Sequence, residues 1–129
     1  MNTKDIIPFS YVVTVLIPAS GTVTKQITLN ADSEFELNTI TAFSGEANQT
    51  DVAPNYFSVK ITDLTTGRQL TNVRVNQSLI TGNANNSSFT QRRSIRFLPN
   101  SNLEFDFANL TANEQTVELV LHGYKVMLN

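Results

Sequence analysis

A single histidine, His122, stands in a chain of 129 residues that has no cysteine. Together these exclude histidine-based metal clusters, His–Cys pairs, disulfides and any metal site that needs sulfur. A Ser–His–Asp triad would need a serine presented on a sharp turn, yet no G-x-S-x-G pattern occurs. His122 lies beside Gly123 in an alternating apolar run, so a hydrogen-bonded structural histidine is the expectation. Carboxylates cluster as Asp32/Glu34/Glu36 and as Glu104/Asp106. The second pair shares one strand face, as two glycosidase acids could. It also alternates with Leu103, Phe105 and Phe107, which makes it the solvated side of an amphipathic strand. No D-x-D-x-D-G calcium loop surrounds Asp51 or Asp63, and no glycine-rich phosphate loop is present. The residues therefore point away from an enzyme, and they call for neither a cofactor nor a metal.

What remains is chemistry for contact. Arg92, Arg93 and Arg96 form the basic cluster, with Arg74 a further candidate. Guanidinium groups suit bidentate pairing with carboxylates across an interface, against the plainer reading of a solvated patch. Aromatic residues hardly interleave with these arginines, which argues against single-stranded nucleic acid. Tyr56 and Tyr124 are possible stacking platforms for a carbohydrate, in a chain that has no tryptophan. Net charge is −2 and charged residues make up 16% of the chain, too weak a field to favour nucleic acid or an anionic membrane as partner. Asn-x-Ser/Thr triplets at Asn48, Asn76, Asn85, Asn86 and Asn109 are the chance yield of an Asn- and Thr-rich composition.

The elements that must position these groups are strands. Asn and Thr supply about a quarter of the residues, favouring turns and strands, while good helix formers are scarce. No segment keeps a helical apolar spacing for three turns. Residues 1–10 read as an N-terminal arm around Pro8, exposing Ile6, Ile7 and Phe9, ahead of a domain over 11–129. Tyr11–Ile17 and Thr22–Leu29 then look like a hairpin across Pro18–Gly21. Phe35, Leu37, Thr39, Thr41 and Phe43 alternate as one inward face, with Ile40 breaking the pattern as a bulge would. Tyr56–Leu64 buries Phe57, Val59 and Ile61 and returns through Thr65–Gly67 into Arg68–Val75. Ser94–Leu98 is a short strand, Leu103/Phe105/Phe107 the sharpest inward stripe, and Gln115–Met127 the last strand. Polar loops span 44–55 and 77–90. About eight antiparallel strands in one all-β sandwich, jelly-roll-like, are expected. The N-terminus has no apolar leader and no stretch is long enough to span a bilayer, so a complete, soluble, cytoplasmically made product is expected.

Ile95-Arg96-Phe97-Leu98-Pro99, Leu103-Glu104-Phe105-Asp106-Phe107-Ala108-Asn109 and Gln115 to Lys125 (QTVELVLHGYK) resemble segments of small virion proteins of tailed bacteriophages. The resemblance covers roughly a quarter of the chain and has no counterpart in residues 1–55. It implies a jelly-roll subunit, assembled as a symmetric homo-oligomer, that binds the major capsid protein or another virion protein. The expected function is a non-enzymatic virion protein that decorates or cements the capsid, made in the host cytoplasm and located in the virion. The alternatives are a carbohydrate-binding module of a tail or host-attachment apparatus, with Tyr56 and Tyr124 at its site, or a neck or tail adaptor.

Overall fold

Period-two burial along each strand gives two faces, and in a computed structural model of the protein those faces close two sheets over one apolar core. The structure describes residues 5–45, 57–76 and 88–128, and the side chains of 44, 45 and 88–94 lie outside that description. The strands among the described residues are β1 (Ile6–Ile17), β2 (Thr22–Thr28), β3 (Ser33–Gly45), β4 (Phe57–Asp63), β5 (Arg68–Gln69), β6 (Val75–Asn76), β7 (Ser88–Phe97), β8 (Asn102–Asn109) and β9 (Gln115–Met127). One sheet has the order β1-β9-β3-β7, and the other runs β2-β8-β4-β5 with β6 also on β4. Every ladder is antiparallel. If the chain is folded double at the turn after β4, then β4 meets β5 and β6, β3 meets β7, β2 meets β8 and β1 meets β9. A long hairpin rolled up in this way is a jelly roll. β5 and β6 occupy one interrupted strand position, so the sandwich has the eight positions that the sequence leads one to expect.

The core is written most plainly on β4, β8 and β9. Phe57, Val59 and Ile61 alternate with half-exposed residues, as do Leu103, Phe105 and Phe107. Val117, Leu119 and Leu121 do the same on β9. Phe105 and Phe107 stack at 6.3 Å between ring centroids, and Phe57 tilts onto Phe107 at 5.7 Å. Each such ring contributes about 1.5–3 kcal/mol by leaving water.

Four expectations need correction. The chain from Ile6 to Ser10 is no free arm: it is the first half of β1, paired with residues 122–126 of β9. Pro8 fits there because β1 is an edge strand, where a missing N–H breaks no inner ladder. β1 and β2 are no hairpin, since they belong to different sheets and the Pro18–Gly21 corner arches between them. The expected strand Arg68–Val75 is broken into β5 and β6, and between them the Thr71 hydroxyl donates to the Val73 carbonyl (2.7 Å). Ser94–Leu98 is only the end of the ten-residue β7, whose polar first half suits an edge strand.

Asn109 explains how the first corner is held. Its side-chain amide donates to the carbonyls of Ile17 (3.2 Å), Pro18 (3.0 Å) and Asn113 (2.8 Å). Its Oδ1 accepts from the Thr111 N–H and hydroxyl, both at 2.8 Å. One buried side chain thus ties the β1–β2 corner to the β8–β9 corner, so its place in a glycosylation-like triplet is incidental. Asn109→Ala should lose about 2 kcal/mol, because the buried Ile17 carbonyl and the part-buried carbonyls of Pro18 and Asn113 lose the amide that binds them. Urea unfolding with an unchanged slope is the check.

Candidate functional site

β3 carries one residue too many opposite β9. Leu37 pairs with Gly123 and Thr39 with His122, which leaves Asn38 as a β-bulge. The bulge turns the phase of the strand: Phe35 and Leu37 face the core before it, Ile40 after it. Phe43, expected inward, is therefore 56% exposed on the outer side, and the break at Ile40 was the visible sign of it. β3 also approaches β9 closely here. A Cβ on Gly123 would lie 1.9 Å from the Glu36 carbonyl oxygen, so only glycine fits.

Around this bulge a cavity of about 300 Å3 opens on the sheet, lined by Pro8, Phe9 and Ser10 of β1, Asn38 and Thr39 of β3, and His122, Gly123 and Tyr124 of β9. His122 is fixed from both sides. Its Nδ1 lies 3.0 Å from the Ser10 hydroxyl, and its Nε2 lies 2.8 Å from that of Thr41. A neutral imidazole donates at one nitrogen and accepts at the other, so both hydroxyls are matched whichever tautomer is present. This is the hydrogen-bonded histidine that the sequence leads one to expect. With a threonine in place of a carboxylate on the second nitrogen, the ring has no acidic orienting group of the triad kind. Among the described residues no group of three or more His, Asp or Glu side chains could hold a metal ion.

The expected contact residues do not gather in one place. Ile6 and Ile7 are exposed on β1, at one edge of the sheet, while Arg92, Arg93 and Arg96 are on β7 at the other. Phe9 is half-buried, edge-on to Tyr11 at 4.8 Å, with the Lys125 ammonium 4.2 Å from its ring centroid. Arg96 is engaged within the chain, 3.2 Å from Glu36 and 3.5 Å from Glu34. Arg74 is committed to Asp106 on β8, in the other sheet (3.2 Å). The side chains of Arg92 and Arg93, and all of Tyr56, lie outside the described residues. Tyr124 is 40% exposed at the cavity.

Sequence reasoning did not pick out the apolar residues on the outer side of the β1-β9-β3 sheet. Val12, Leu16 and Phe43 are each more than half exposed. They stand near one another in the register, with Val12 opposite Val120, and with Thr14 and Phe43 flanking Glu118. The available signal was Val12 and Leu16 alternating with Val13, Val15 and Ile17.

No protein-family model and no curated protein sequence matches the chain. Several solved structures are similar in architecture. A capsid chain of the Helicobacter pylori bacteriophage KHP30 is 12% identical, covering 94% of this chain and 93% of that one, with a TM-score of 0.47. The BFDV capsid protein, solved as a decamer, is 9% identical over 98% of this chain and 100% of that one, at 0.45. The Yersinia pseudotuberculosis-derived mitogen is 11% identical over 95% and 90%, also at 0.45. Such distant likenesses, to capsid proteins and a mitogen alike, say nothing of what this chain does.

Proposed function

We propose that this chain is a non-enzymatic virion protein of a tailed bacteriophage, which decorates or cements the capsid through protein–protein contacts. The observation that carries the reading is the outer face of the β1-β9-β3 sheet, where Val12, Leu16 and Phe43 stand exposed together. Large apolar side chains grouped on one face mark a surface that gains by being covered. Ile6, at 63% exposure, extends the same strand toward its end. The three segments that resemble small phage virion proteins are β7, β8 and β9, two of which belong to this sheet. The contacts are Val12, Leu16 and Phe43, with Ile6 and Ile7 at one edge and Arg92, Arg93 and Arg96 at the other. The partner is the major capsid protein or another virion protein, met by a homo-oligomer of this chain.

Light scattering of the isolated protein and co-sedimentation on undecorated phage heads test this together. The expected result is a discrete oligomer that saturates heads at fixed stoichiometry, with saturation lost in Phe43→Asp while the fold persists. A monomer that does not sediment with heads would overturn the reading.

A further inference from the structure

The cavity at the Asn38 bulge is not explained by a role in assembly, and its chemistry is specific. The polar side chains in its lining are those of Ser10, Asn38, Thr39, His122 and Tyr124, with no lysine, arginine, aspartate or glutamate among them. Without lysine or arginine in the lining, nothing there neutralises a phosphate or carboxylate. Without aspartate or glutamate, nothing attracts a cation. Pro8 and the Tyr124 ring, which are opposite one another across β1 and β9, offer carbon surface. A ligand that fits must exchange hydrogen bonds in both directions and lay an apolar face on a ring, while carrying no charge. That is the description of a neutral pyranose, whose hydroxyls ring a flat patch of C–H groups.

Size and construction agree with this. The volume is at the low end of small-ligand pockets, roughly 300–1,000 Å3, so one sugar ring is the occupant. The bulge takes Asn38 out of the ladder, and bulges of this kind re-aim a side chain. Gly123 lets β3 come close enough to make the bulge, and the two hydroxyls on His122 hold its ring in one orientation. The floor is therefore formed before any ligand arrives.

We infer that this cavity binds a neutral monosaccharide unit, with Tyr124 as stacking surface and Asn38 and Ser10 as hydrogen-bonding groups. The inference is independent of the capsid reading and is tested on the isolated protein. Isotope-labelled protein is titrated by NMR with glucose, galactose, mannose and N-acetylglucosamine, with their methyl glycosides, and with inorganic phosphate. At least one sugar should give saturable shifts confined to residues 8–10, 38–41 and 122–124, with affinity on the order of millimolar, as a single ring allows. A methyl glycoside that binds equally well assigns the site to the end of a glycan; binding by the free sugar alone assigns it to the monosaccharide. Tyr124→Ala and Asn38→Ala should each weaken binding about five- to tenfold, with Tyr124→Ala leaving the melting temperature within about 2 °C of the parent. Absence of saturable shifts with all the sugars, the same shifts from phosphate, or undiminished binding by both variants would overturn the inference.

Discussion

Gly123→Ala should cost the protein about 3–4 kcal/mol and lower its melting temperature by about 10 °C or more. Most glycine-to-alanine changes in strands do nothing of the kind, since alanine is the better strand residue on entropic grounds. Here the added carbon would lie 1.9 Å from the Glu36 carbonyl oxygen and 2.9 Å from its carbonyl carbon. Both are backbone atoms, so no rotamer change relieves the overlap. β3 must move away from β9, and the residues that move with it are Phe35 and Leu37, which are 1% and 0% exposed in the core. The register at the bulge is lost with them, and so is the cavity. Thermal and urea unfolding read the cost directly. A melting temperature within about 2 °C of the parent would mean that the strands part freely at this point, and the bulge would then be no constraint at all.

The same stretch shows where the sequence stops being legible. β8 and β9 could be read to within a residue, because one-sided burial prints a period of two on Leu103 to Phe107 and on Val117 to Leu121. The phase of β3 could be read only as far as Leu37. One unpaired residue exchanges the faces of everything after it, and Ile40 announced the change without saying which side Phe43 would take. Pairing was harder still. Pro18 to Gly21 marks a reversal of the chain, but a reversal serves equally for a hairpin or for an arch from sheet to sheet. What decides is Asn109, 91 residues from Pro18 in sequence, whose amide clips the arch in place.

His122 divides in the same way. Its type and its place beside Gly123 sufficed to expect a satisfied structural ring. Its partners, Ser10 and Thr41, are 112 and 81 residues away, and no local pattern could name them. A cavity formed by three strands that are distant in sequence is a product of topology. The spacing of residues within any one strand does not contain it. Tyr124 was legible as an exposed ring, whereas the hydroxyls and amide that give that ring a use were not.

Deleting residues 1–10 separates the two views of the N-terminus most sharply. If these residues were an arm, stability would be nearly unchanged and only binding to a particle would suffer. The structure has Ile6 to Ser10 paired with Val126 to His122, and the expected loss is about 3 kcal/mol, or about 10 °C in melting temperature. Hydrogen bonds of the ladder are not the main term, since their net worth is largely cancelled by the entropy of ordering the same five residues. What is not cancelled is the damage to what stays behind. Tyr11 packs edge-on between Phe9 and Phe35, at 4.8 Å from each, and loses one of the two rings. Lys125, 8% exposed, keeps Asp32 at 3.4 Å but loses the aromatic face under its ammonium group. Residues 122–126 of β9 become an unpaired edge, which invites association between chains. Removing residues 1–4 alone leaves β1 whole and serves as the control. Should the ten-residue deletion melt within about 2 °C of that control, β1 begins in effect at Tyr11, and the segment before it would again be free to act as an arm.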